Sequence, residues 1–386
     1  VGARKERRWT RASCPPRIGI EPNMRVFQNS GVYAAYMRRL DMLAVDARSF
    51  SDRLALFLDD RYGACHILQP VMETSPDIFF TNGDDEILQR YWAVENGLPA
   101  TSDMEQILLS QIEHHRTEIF YNSDPMRYGN DFVRKLPGCV RKSIMWRAAP
   151  SGNTDFGAYD LIVCNFPVIL DGYRKLGWRA EYFAPAHDPA MDSYAENRDR
   201  PIDVLFVGGY SRHHRRRAEI LQAVSAIRRD FKVYYHLDRS RLTRLAESPI
   251  GWLLPLGKHR RPKNIRAVSR TPLFGRELYE AISQAKIVLN GAVDMAGTDR
   301  GNMRCWEALG CGALMVSDSG VYPEGMVNNI SMVTYEDAES AARTIVNLLR
   351  EPERLQALAN EGTRTVRTVY NKRAQWLNFQ RLAASA

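Results

Sequence analysis

What this chain lacks narrows it first. No apolar run approaches the roughly 18 to 20 residues that span a bilayer, and the basic opening from Arg4 to Arg11 is not followed by an apolar signal core. A soluble, cytoplasmic protein is expected. The chain opens on Val1 rather than Met, so residues ahead of it are expected to be missing. Its six cysteines, Cys14, Cys65, Cys139, Cys164, Cys305 and Cys311, form no C-x-x-C pair and have no His cluster nearby. That argues against a zinc site or a disulfide framework and for reduced, buried thiols. No D-x-D stands between a strand and a loop, and the only Asp-Asp pairs are Asp59-Asp60 and Asp84-Asp85. No metal is expected. Internal repeats, low-complexity tracts, RNA-recognition aromatics and a basic helix-turn-helix pattern are also absent, so no specific nucleic-acid partner is expected.

What is present suits a two-domain α/β protein. At 386 residues the chain is long enough for two cores of about 100–200 residues each. Its net charge of +8 gathers in three patches, Arg4 to Arg11, Arg212 to Arg217 and Lys258 to Arg270. Such patches suit diphosphates, anionic lipid or nucleic acid, and charge alone does not choose among them. Peripheral contact with an anionic membrane surface, at its inner face, stays open on that ground.

Short β-rich runs alternate with amphipathic helices, the pattern of a parallel sheet covered on both faces. Strands are predicted at 17–20, 66–68, 77–81, 118–121, 142–146, 160–164 and 180–183, with helices at 32–44, 84–95, 104–115 and 167–176. The polar, proline-containing stretch 184–200 reads as an interdomain linker. Beyond it, runs at 202–207, 232–236, 272–274, 286–290 and 313–316 alternate with helices at 213–228, 276–284 and around 307. Three helices, at 337–349, 352–369 and 372–382, close the chain. The domains are expected at 1–190 and 201–370, followed by a final helix, 371–386.

The richest stretch is Asp299 to Ser319, D-R-G-N-M-R-C-W-E-A-L-G-C-G-A-L-M-V-S-D-S. A polar loop opens a helix that breaks at Gly310-Cys311-Gly312 and leads into a buried strand. In open α/β sheets ligands sit beyond the carboxyl ends of the strands, where helix N-termini offer unpaired N–H groups to anions. Gly301, Asn302 and Met303 suit a phosphate there, and Glu307, inside the helix, suits the hydroxyls of a sugar.

These residues carry a resemblance. Leu289-Asn290, the Asp-x7-Glu spacing of Asp299 and Glu307, and W-E-A-L-G-C-G-A-L-M-V-S-D resemble the nucleotide-sugar site of group 1 glycosyltransferases of the GT-B fold. The run R-x-W-E-A-L-G-C-G-A is similar to the spore-protein CgeB-like subgroup. The resemblance implies two Rossmann-like domains facing across a cleft, with the last helix, carrying Trp376, Phe379 and Leu382, crossing back to the first domain. It implies a nucleotide-sugar donor, no cofactor, and a glycan or other hydroxyl as acceptor. Glu307 takes the place of the ribose-binding Glu, and Asp299 stands where related enzymes carry another Glu that meets the transferred sugar or phosphate. The loop V-G-G-Y-S-R-H-H-R-R-R places Gly209 near the diphosphate, with Arg212 and His214 as catalytic candidates that neutralise it. Arg300 and Arg304 flank Asn302 near the phosphate, and either could instead form an ion pair, Arg304 with Glu307 or either with Asp299.

On the first-domain side, loops after the strands are expected to hold the acceptor. Asn82 stands where related enzymes often carry a His, which leaves no obvious base. Asp124, Asp84 and His187 are available by position, although Asp84 and Asp85 read first as helix caps. The spacing of Asp299 and Glu307 resembles retaining enzymes. The rival readings are a nucleotide-sugar epimerase of the same architecture and a catalytically silent scaffold that binds anionic partners.

Overall fold

The computed structural model describes residues 24–210, 215–291 and 295–386. Two six-stranded sheets, parallel throughout, organise it. The first contains β1 (Val26–Ser30), β2 (Ile78–Asn82), β3 (Ile119–Asn122), β4 (Lys142–Trp146), β5 (Leu161–Cys164) and β6 (Ala180–Tyr182), in the order β2-β1-β3-β4-β5-β6. The second contains β7 (Ile202–Gly209), β8 (Val233–Asp238), β9 (Ser269–Arg270), β10 (Ala285–Leu289), β11 (Leu314–Asp318) and β12 (Val333–Tyr335), in the order β12-β11-β10-β7-β8-β9. In each sheet the first strand in sequence has its second on one side and a later strand on the other, so the order reverses beside β1 and beside β7.

Strands buried on both faces must be apolar on both, and these are. In β10, Ile287 and Leu289 join one core layer while Val288 joins the other. The first sheet repeats this: Val26, Ile119, Ile144 and Leu161 face one layer, and Phe27, Phe120, Met145 and Ile162 the opposite one. The period-2 alternation thus sorts each strand between two helical layers.

The last helix, Lys372–Ser385, leaves the second domain and packs on the first. Phe379, Leu382 and Ala383 enter the same core layer as Val26 and Tyr121, and the Phe379 ring lies 5.0 Å from that of Tyr121. Buried Lys372 fixes its start, donating from Nζ to the carbonyls of Ala64 and Ile67 at 2.6 Å each. The domains also meet through Arg276–Asp59 at 2.8 Å and Arg39–Glu277 at 2.5 Å. Gly275, at φ 56°, packs so closely that a Cβ there would lie 2.3 Å from the Asp60 carbonyl oxygen.

Several sequence expectations need correction. The 66–68 run is a tight turn followed by extended chain, because Gly63 at φ 66° starts a short 3-10 turn over Ala64–His66. Pro272–Phe274 joins no strand; β9 precedes it. The 184–200 stretch joins the two domains as expected, and it is packed, with Ala186, His187, Asp188 and Met191 buried. Strands β1 and β12 and the helix Phe50–Asp59 were not anticipated. The strand predicted at 17–20 lies outside the described residues.

Candidate functional site

Two cavities occupy the reversals of strand order. The inner one, of about 370 Å³, lies against Gly208 and Gly209 at the end of β7, with His236, Phe274, Met303, Arg304 and Glu307 among its lining. The outer one, of about 550 Å³, lies between the carboxyl ends of β1, β3 and β10, where Gly31, Asp124 and Asn290 line it. Tyr33, Tyr62, Gly63 and Met303 line both, so the two spaces adjoin. Switch points are where open α/β sheets bind ligands, because the loops after neighbouring strands diverge there.

The inner cavity centres on Glu307. The helix Met303–Gly310 buries Cys305, Trp306, Ala308 and Leu309, which fixes the phase of the helix and turns Glu307 to the cavity. Its Oε2 accepts from Arg304 Nη1 at 2.6 Å, the i,i+3 pairing that the sequence left open. Burial raises the Glu307 pKa, and the Arg304 guanidinium opposes that rise. Asn302, at the N-cap, donates its side-chain amide to Asn290 Oδ1 at 3.0 Å and accepts only the Cys305 thiol from the helix, at 3.6 Å, while Asn290 in turn donates to Ser317 Oγ at 3.2 Å. No side chain caps the first turn, which leaves a helix start suited to an anion.

Asp299 and Gly301 tie this loop to the first domain. Asp299 Oδ2 accepts from the Val168 backbone N–H at 2.7 Å, at the start of the helix Pro167–Lys175. The Gly301 carbonyl accepts from Asn165 Nδ2 at 2.6 Å. Gly301 has φ 130°, and a Cβ there would lie 2.8 Å from the same Asn165 nitrogen, so the position needs glycine. Arg300 pairs with Asp318, Nε to Oδ2 at 2.8 Å, rather than with Asp299.

On the first-domain side, one of the two expected caps does not cap. Asp85 alone caps the helix Glu86–Glu95, accepting from the Leu88 N–H at 3.2 Å, and its other oxygen holds Arg53 at 2.7 Å. Asp84, expected as a cap, stands one residue too early for that geometry. It lines the outer cavity and accepts from the Val32 N–H at 2.8 Å. Burial, with the nearby Asp124 charge, pushes its pKa up to about 6. Asp124 is raised by burial too, with Arg127 at 3.6 Å opposing.

Of the predicted site residues, Glu307, Arg304, Met303 and Gly209 line the inner cavity, and Asp299, Arg300, Gly301, Asn302, Asn290 and Asp124 the outer. Asn82 lines neither; it is fully buried at the end of β2, and its side-chain oxygen and nitrogen find no partner among the described residues. His187 is buried against Asp192 at 2.7 Å and lines neither cavity. Arg212 and His214 lie outside the described residues. Trp146, at the end of a predicted first-domain strand, lines the outer cavity as expected of an acceptor-side loop, whereas sequence reasoning missed Tyr33, Tyr62, His66 and Asn165. Only Asn165 carried a signal, at the carboxyl end of a predicted strand just before a Pro-initiated helix.

Residues 212–379 match the profile of the family described as glycosyl transferase-like. No curated protein matches the sequence significantly. Among solved structures, HepE of Anabaena in complex with UDP-glucose superposes with a TM-score of 0.56 at 10% identity, covering 94% of this chain and 100% of that one. A glycosyltransferase from Rickettsia africae gives 0.52 at 9% identity, covering 94% and 98%. Sucrose-phosphate synthase of Thermosynechococcus elongatus gives 0.51 at 10% identity, with the same coverages of 94% and 98%. The chain has the GT-B glycosyltransferase fold, and its second domain and closing helices carry the glycosyl transferase-like sequence pattern.

Proposed function

We propose that this protein is a metal-independent glycosyltransferase that moves a hexosyl unit from a nucleoside-diphosphate sugar to an acceptor hydroxyl, with retention at the anomeric carbon. One observation carries the reading: two adjoining cavities at the carboxyl ends of both sheets, Glu307 on the wall of the inner and Asp84 and Asp124 on the wall of the outer. The inner cavity then takes the nucleotide, with Glu307 accepting from the ribose diol in a charge-assisted pairing. The diphosphate lies toward the uncapped helix start, where backbone N–H groups, Arg300 and Arg304 compensate its charge, and we assign Arg212 and His214 the same role from the sequence. That compensation replaces a metal. A UDP-linked donor is the first choice, because the HepE neighbour of the same fold is complexed with UDP-glucose. The run from Arg304 to Ala313 supports placement near the CgeB-like subgroup.

The acceptor hydroxyl enters the outer cavity. Its oxygen bonds to the anomeric carbon as the bond from that carbon to the diphosphate breaks, and the departing phosphate takes the hydroxyl proton. Held in place by Val168, Asp299 lines the cavity where the sugar would sit and keeps the domains together. A second reading is favoured by Asp84, a carboxylate raised to about 6 in the same cavity. As a base it would accept the hydroxyl proton in an inverting displacement.

The test is nucleoside diphosphate release from UDP-, GDP- and ADP-hexoses, with and without simple glycan acceptors. Acceptor-stimulated release is expected, whereas conversion of the donor to its epimer without acceptor would replace transfer by epimerisation. NMR of the product then decides the stereochemistry. An unchanged anomeric configuration supports retention, and an inverted one lost in Asp84→Asn supports the second reading.

A further inference from the structure

Exposed apolar side chains crowd one segment of the second domain. Leu242, Leu245, Ile250, Trp252, Leu253 and Leu254 are all exposed, with Ile250 at 68% and Leu253 at 88%. The segment connects β8 to β9 and folds as two short helices, Arg241–Ala246 and Pro249–Trp252, capped by Ser240 and Ser248. Gly251 lets them close up, since a Cβ there would lie 1.8 Å from the Leu245 carbonyl oxygen. Arg260 braces the pair by donating to the carbonyls of Ala246 at 2.9 Å and Gly251 at 2.6 Å. Its guanidinium lies 4.2 Å from the centre of the Trp252 ring. Beneath, Arg261 and Glu247 pair at 2.7 Å, only 6% and 7% exposed. A braced scaffold therefore holds these side chains outward, where an apolar patch of this kind marks an interaction surface.

The rim of the patch is cationic. Arg239, Arg241, Arg244, Lys258, Lys263 and Arg270 are exposed around it, and between 238 and 270 the acids are Asp238 and the Arg261-paired Glu247. An identical copy would meet this rim with the same sign of charge. A nucleic acid would answer the charge, and a base could stack on Trp252, but Leu242, Ile250 and Leu253 would be left in water. An anionic bilayer answers both, receiving aliphatic side chains and Trp at its interface and Lys and Arg at its headgroups.

We propose that this helical tip docks the protein on an anionic lipid bilayer, with Ile250, Trp252 and Leu253 entering the interface and the surrounding arginines and lysines meeting the headgroups. The tip grows from the end of β8, whose His236 and Asp238 line the inner cavity. Docking therefore holds that cavity near the membrane surface. The inference stands on exposure and charge and does not depend on the reaction.

The test is flotation of the full chain with vesicles of phosphatidylcholine alone and of phosphatidylcholine mixed with phosphatidylglycerol. The wild type is expected to float with the mixed vesicles and to release as salt is raised. Ile250→Ser/Leu253→Ser should lower partitioning by about tenfold or more, since two large apolar side chains no longer enter the interface. Arg241→Glu/Arg244→Glu should abolish the preference for anionic lipid. Both pairs are exposed, so thermal midpoints should match the wild type. Absence of binding to the mixed vesicles, or unchanged binding by both variants, overturns the proposal. So does a concentration-dependent dimer, or tighter binding to a generic RNA, that the apolar variant disrupts while lipid binding persists.

Discussion

On the second-domain wall of the cleft, Glu307 is matched by Arg304 at 2.6 Å and Arg300 by Asp318 at 2.8 Å. On the facing first-domain wall, Asp84 and Asp124 lie in one another's field, and Arg127 sits 3.6 Å from Asp124. The charges of these two pairs are set before any ligand arrives, which suits the nucleotide side of the proposed reaction. Carboxylates held with little compensation keep lone pairs open for hydroxyl donors, which suits the proposed acceptor side. The difference is energetic as well: removing one partner from the paired wall strands a buried charge, whereas the acidic wall costs stability whenever it is ionised.

Glu307→Ala should break the paired wall most severely. It strands Arg304 in a largely buried position, and the expected loss is about 3 kcal/mol in urea denaturation, partly restored by Glu307→Ala/Arg304→Met. A loss below about 0.5 kcal/mol would mean that the pair contributes nothing to the fold. Gly301→Ala attacks the joint between the walls by forcing a side chain onto Asn165 at a φ that disfavours it. A cost of roughly 1–3 kcal/mol should appear in the same assay.

Asp84→Asn should act in the opposite direction. The folded carboxyl holds its proton up to about 6, whereas the unfolded one releases it near 4, so the native state binds the proton more tightly. Native stability from this group therefore falls as pH rises from about 4 through 6 and then levels off. The variant should be more stable by roughly 1–2 kcal/mol at pH 7.5 and indistinguishable near pH 4, where the wild-type carboxyl is protonated in both states. Equal stability at both pH values would remove the strained acid from the account. Asp124→Asn gives the smallest effect, moving the Asp84 titration seen by carboxyl NMR to lower pH by less than about one unit.

The second-domain wall was legible in the sequence because one continuous segment builds it. Asp299 to Asp318 supplies loop, helix and strand in order, so spacing alone brings Glu307, Arg304 and Asn302 near one another. The first-domain wall was legible only in part: strand-end position offered Asp84 and Asp124, but Tyr33, Tyr62 and His66 come from separate segments that no spacing joins. Position did not show which of Asp84 and Asp85 caps the helix and which lines the cavity. Tyr62 was hidden for a similar reason: its place depends on stacking with Tyr36 at 3.8 Å and on Phe274 of the other domain at 6.1 Å. The crossing of the last helix was implied by resemblance, but its anchor was not, since Lys372 meets carbonyls some three hundred residues earlier in the chain.

The most direct test of a nucleotide-sugar site built around Glu307 is calorimetric titration of UDP, GDP, ADP and their hexose conjugates into the wild type and Glu307→Gln, which keeps the side-chain volume. The account predicts selective binding of one nucleotide and its conjugates, weakened at least tenfold, about 1.4 kcal/mol, by the substitution. Equal affinity in both proteins, or binding of none of these ligands by the wild type, would contradict it.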